Sequence, residues 1–253
     1  MRRKSMRKAI AMIELIFAIV ILGIVMMSAP LLINTATQSG YVAMQQESIA
    51  IASSEISMIM THQWDEQGSD ENLTTPIVST GGDTDLGPAN DADGHPTGKR
   101  AGTLNIETQR SFFTTVGSSY SATLPVNFKV EADFDDIDDF HNTTSQVSVY
   151  NNEDTDRIVG EVGDVADINV TLLSTIRYMS DAPDAGSSSY QGSSDTLIYS
   201  PFGKATPATT SNIKHVNVTL TTNSTDADLN KTIILNAFSC NIGSYELEER
   251  SFF

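Results

Sequence analysis

Cysteine is almost absent from this chain: Cys240 is the single one in 253 residues, so an internal disulfide is excluded. In an exported protein an odd cysteine pairs between chains or stays free; lying within the apolar run 233–242, it reads as a small buried core residue. Positive charge is also scarce, with 15 Lys+Arg against 32 Asp+Glu and a net charge of −17. Five of those cations (Arg2, Arg3, Lys4, Arg7, Lys8) sit at the amino end, and without them 10 remain against 32 acids, a charge of about −22. Such a balance argues against nucleic-acid binding, which needs clustered Lys and Arg for phosphate contacts. The motifs of common enzymes are missing too. The four histidines (His62, His95, His141, His215) are scattered, and no HExxH, GxSxG or Walker-type glycine loop occurs. No catalytic site is expected, and the chain reads as a non-enzyme.

One long hydrophobic run is present. From Ile10 to Ile33 the chain is apolar or small apart from Glu14 and Ser28. At ~1.5 Å of rise per residue, about 20 apolar residues cross the ~30 Å hydrocarbon core of a bilayer. The basic flank keeps the amino end cytoplasmic. Secretory signals carry an apolar core of only ~7–15 residues before a small-residue cleavage site. An acid inside a span is costly and usually has a partner or a function, which singles out Glu14.

The stretch Ala9-Ile10-Ala11-Met12-Ile13-Glu14-Leu15-Ile16 resembles the leader junction of type IV pilins and pseudopilins. The resemblance covers residues 1 to about 64. It implies removal of a basic leader, residues 1–9, by a prepilin peptidase/methyltransferase, with the cut between Ala9 and Ile10 and N-methylation of Ile10. Ala9 and Ile10 stand where that family usually carries glycine and phenylalanine. It further implies inner-membrane insertion, then assembly with other subunits into a periplasmic or extracellular filament. There Glu14 pairs with the positive amino terminus of a neighbouring helix and fixes register. The machine is a type IV pilus or a type II secretion-like pseudopilus. The length and the acidic loops favour a minor subunit.

Helical patterning continues to Trp64: Tyr41, Met44, Ile49, Ala52, Ile56, Ile59 and Met60 recur at three- to five-residue intervals. Pro30 removes an internal hydrogen bond and is expected to bend the helix. Residues 10–64 thus form one helix, a span followed by a spine, and Trp64 reads as a core plug. Residues 68–101 read as a long polar loop, functional or mobile at that length. Strand patterns follow at 104–110, 123–130, 146–150, 167–177, 196–199, 213–222 and 232–242. The expected fold is α+β, with an antiparallel sheet in an acidic exported domain, residues 65–253, lying on the helix spine.

The sharpest remaining cluster is Asp133-Phe134-Asp135-Asp136-Ile137-Asp138-Asp139-Phe140. It is similar to an Asp-Asp-Ile-Asp-Asp element of some minor-pilin-like proteins. Asp133, Asp135, Asp136, Asp138 and Asp139 are candidate calcium ligands, since calcium takes 6–8 oxygens. The alternative is a solvated acidic loop anchored by Phe134, Ile137 and Phe140. Asp83–Gly87 and Asp91–Gly94 also look like calcium loops but lack the bidentate Glu. Asn72, Asn169 and Asn230 match the glycosylation acceptor pattern. A second functional class stays open: a surface binding or adhesin module with calcium-bearing loops, anchored by a single span.

Overall fold

The computed structural model describes residues 3–66, 77–95, 97–103, 112, 114–115, 118–119, 121–129, 133–149, 168–186, 189–190, 196–223 and 230–243. The fold is α+β. One helix, α1, runs Arg3–Ile59 with Pro30 inside it, and a four-stranded antiparallel sheet follows. The chain divides into two compact units, Met1–Ser48 and Ile49–Phe253.

The first unit is helix. Its most apolar stretch reaches a mean hydropathy of 2.8, enough in length and composition to cross a membrane. The large apolar side chains from Met12 to Ile33 are all exposed, up to 84% at Met27. Hydroxyls here bond back to the helix: Ser28 Oγ donates to the Val25 carbonyl at 3.0 Å, and Thr35 Oγ1 to the Leu31 carbonyl at 2.9 Å. A hydroxyl satisfied in this way is tolerated in an apolar phase.

The second unit opens with the last turns of α1, where Ala52 and Ile59 are fully buried. The helix ends as Thr61 N–H bonds the Met58 carbonyl (3.0 Å) and His62 N–H the Ile59 carbonyl (3.2 Å). Two short strands, β1 (Thr114–Thr115) and β2 (Ser118–Ser119), make a small hairpin. The main sheet is a meander of β3 (Thr143–Val149), β4 (Ile168–Met179), β5 (Ile213–Asn223) and β6 (Thr232–Cys240). Alternation sets its faces, because successive strand side chains point to opposite sides. Val170, Leu172, Ile176 and Tyr178 of β4 are buried on one face with Val216, Val218 and Leu220 of β5. The register pairs Leu172 with Leu220 and Ile176 with Val216. Strand β6 lies at an edge, and Ile234 and Phe238 remain exposed on it.

Two expected strands are not strands. Within 123–130, residues Pro125–Asn127 form a 3-10 turn; proline lacks the N–H that a ladder needs. Residues 196–199 join no ladder, although Tyr199 hydroxyl reaches the Ser180 carbonyl at 3.1 Å. The strand expected at 104–110 lies outside the described residues. The long loop is built rather than loose in its described part. It carries a 3-10 turn, Thr84–Leu86, buries Ile77 and Val78, and makes isolated bridges from Ile77 to Phe112 and from Ser79 to Ser121.

Candidate functional site

Of the residues expected to serve processing and assembly, Ala9 and Ile10 lie within α1, and their side chains fall outside the described residues. Glu14 is exposed on the helix among exposed Ile13, Leu15, Ile16 and Phe17. Pro30 lies inside the same unbroken helix.

The aspartate cluster behaves differently from a uniform acidic loop. Asp133, Phe134 and Asp135 are exposed, whereas Asp136, Ile137, Asp138, Asp139 and Phe140 are buried. Phe134 therefore does not anchor the loop by burial; its ring leans on Phe140 with centroids 5.1 Å apart. Asp136 organises the turn. One oxygen accepts from Glu66 N–H (2.6 Å), the other from Asp138 N–H (2.8 Å) and Asp139 N–H (3.3 Å). Asp139 in turn accepts from the amides of Asp135 (3.1 Å) and Asp136 (3.2 Å). These bonds turn Asp136 and Asp139 onto the backbone of the turn, and leave Asp133 and Asp135 as the outward-facing acids.

Asp138 meets Lys214, which sequence reasoning passed over. Lys214 is 0% exposed. Its ammonium contacts Asp138 Oδ1, lies 3.2 Å from Asp65 Oδ2 and donates to the Trp64 carbonyl at 2.6 Å. Three rings surround it: Trp64 with its centroid at 4.5 Å, and Phe128 and Tyr178 each at 5.7 Å. Asp65 also accepts from Thr123 N–H at 2.9 Å, while Tyr178 hydroxyl donates to the Thr123 carbonyl at 2.8 Å. Burial pushes the Asp138 carboxyl up to about 8, against the pull of Lys214 and with help from Asp136. Burial raises Asp136 as well, and it raises the Tyr178 phenol with further help from the surrounding carboxylates. The arrangement is a buried amine and a buried carboxyl in contact among aromatic rings. A signal was present in the sequence: Lys214 has the same strand parity as Val216, Val218 and Leu220, so an alternating strand points it inward.

A second polar centre fixes the long loop. Asp181 accepts from Asp83 N–H (2.9 Å), Asn212 N–H (3.0 Å) and Asn212 Nδ2 (2.6 Å). Arg100 reaches the Leu86 carbonyl (2.7 Å), the Asn241 carbonyl (2.6 Å) and Asn212 Oδ1 (2.6 Å). Asn241 clamps Val78 from both sides, accepting its N–H and donating to its carbonyl. Nearby, a cavity of about 460 Å³ is lined by Met60, Trp64, Val78, Phe238, Cys240 and Ile242, among others. Cys240 is half-buried there, and burial pushes its thiol up. At the loop tip Asp91, Asp93 and His95 bring potential ligand atoms within 4.8 Å of one another, all exposed.

Asn169 lies on β4 beside its register partner Asn223, Asn230 is exposed just before β6, and Asn72 lies outside the described residues. No protein-family model, no curated protein and no solved structure matches the chain.

Proposed function

We propose that this chain is a filament subunit, a minor pilin or pseudopilin. It is inserted in a bacterial inner membrane, cut after Ala9 by a prepilin peptidase and assembled through its amino-terminal helix. One observation carries the reading: the apolar side chains from Met12 to Ile33 are all exposed, and Glu14 is the one acid among them. A bare apolar helix serves equally as a membrane anchor and as a surface for packing against copies of itself. The acid suits a partner on the next helix, where its burial is offset by the new amino terminus. The test is the intact mass of the membrane-extracted protein from wild type, Glu14→Ala and a strain lacking the peptidase. The expected result is loss of residues 1–9 with addition of one methyl group, dependent on the peptidase. A full-length mass in wild type overturns the processing claim.

A second reading, an anchored module that binds calcium, draws on the exposed Asp91, Asp93 and His95. Calorimetric titration of the full chain with calcium checks it, and an Asp91→Asn, Asp93→Asn double variant must abolish the heat for that reading to stand.

A further inference from the structure

We propose that Lys214 Nζ and Asp138 Cγ condense spontaneously into an amide, a covalent cross-link between β5 and the turn that precedes β3. The partners are in direct contact, and both are buried. Held in this way, an amine and a carboxyl have an effective concentration of about 10⁵–10⁸ M, far beyond what a dilute pair experiences. Burial also keeps the reverse reaction's reagent from the bond, because the Lys214 side chain is 0% exposed and that of Asp138 4%, behind Trp64, Phe128 and Tyr178.

The chemistry balances with residues already in place. Asp65 Oδ2, 3.2 Å from Nζ, takes one proton from the ammonium and frees the lone pair. The amine attacks Cγ of the Asp138 carboxylic acid, the form that burial favours. The Nζ–Cγ bond forms and the Cγ–OH bond breaks. A second nitrogen proton leaves with the hydroxyl as water, and the third stays as the amide N–H. No oxidant, metal or activating nucleotide takes part. The product fits the cage better than the reactants do. A buried ion pair surrounded by further carboxylates is replaced by a neutral amide. The remaining N–H keeps the Trp64 carbonyl, already 2.6 Å from Nζ, as its acceptor.

The contrast within the same protein is informative. Lys204 and Asp184 approach to 2.6 Å, but their side chains are 11% and 28% exposed. That pair is partly open to water and, among the described residues, has a single ring beside it, Tyr199 with its centroid 4.8 Å from Nζ, where Lys214 has three.

Tryptic peptides of the full chain, extracted in detergent and denatured before digestion, decide the matter by tandem mass spectrometry. Cleavage is expected to give peptide 130–157 joined to peptide 205–231, at their summed mass less one water, with no cut after Lys214. A free peptide 205–214 together with free 130–157 from wild type overturns the proposal. The linked species must vanish in Lys214→Arg, which keeps the charge, and in Asp138→Ala. In Asp65→Asn both bond partners remain, and the linked fraction is expected to fall at least tenfold. Full linkage in that variant overturns the role given to Asp65. The assay reads residues far from the leader, so its outcome is independent of how the amino terminus is processed.

Discussion

At the scale of single residues, the second unit is held by carboxylates that serve the backbone. Asp136 satisfies three amides, those of Glu66, Asp138 and Asp139. Each buried amide left without an acceptor costs ~1–3 kcal/mol, so Asp136→Ala is expected to destabilise the protein by about 3 kcal/mol in urea unfolding. Asp135→Ala, on the exposed side of the same turn, is expected to change little. Two histidines weaken the fold in acid. His215 Nδ1 accepts from Arg177 Nε at 3.1 Å, and His141 Nδ1 accepts from Ile176 N–H at 3.2 Å. Burial lowers both rings below the usual histidine range, and Arg177 lowers His215 further. A histidine with a depressed folded pKa binds fewer protons folded than unfolded, so stability falls as pH drops through ~6.5 toward the folded value. Buried Asp136 and Asp138, whose carboxyls are raised, act in the opposite direction, so the histidine contribution is read as a difference: the urea midpoint of wild type relative to His215→Gln is expected to fall as pH drops through that point.

At the scale of elements, the alternation that defined the strands also ranks their positions. Val218 is buried at the centre of β5, and Val218→Ala is expected to cost about 2 kcal/mol. Ile234 on edge strand β6 is 56% exposed, and Ile234→Lys is expected to stay within about 0.5 kcal/mol on thermal unfolding. The period-two runs at 146–150, 167–177, 213–222 and 232–242 were legible because β-branched residues alternate there with polar ones, and each became part of a ladder. Residues 123–130 misled for a physical reason: Pro125 interrupts an otherwise strand-like run. The long loop reads in sequence only as polar turns because its order comes from distant partners. Asp181, Asn212 and Asn241 lie far along the chain from Val78, Asp83 and Arg100. Of the buried cage, the aspartates could be noticed but not their direction. Lys214 was visible only to a reading that tracked inward parity through β5.

At the scale of the whole molecule, the two units carry opposite chemistry. An apolar helix sits at the amino end, and acids outnumber bases by 32 to 15 over the chain. Surfaces of one sign repel when crowded side by side, and that repulsion is screened over ~8 Å at physiological salt. Any filament built from this chain should therefore sediment more completely as salt is raised, which sedimentation of shear fractions across a salt series measures.

In the filament proposed above, each copy would also carry load. Asp138 and Lys214 are 76 positions apart, with β3 and β4 between them. An amide there closes that segment into a ring through which tension passes from Asp138 straight to Lys214. At ~3.4 Å per extended residue, the ring withholds roughly 250 Å of contour from stretching. Pulled by its two ends in an optical trap, the linked second unit is expected to release that much less length than Lys214→Arg, leaving β3 and β4 slack while the rest of the unit is drawn out.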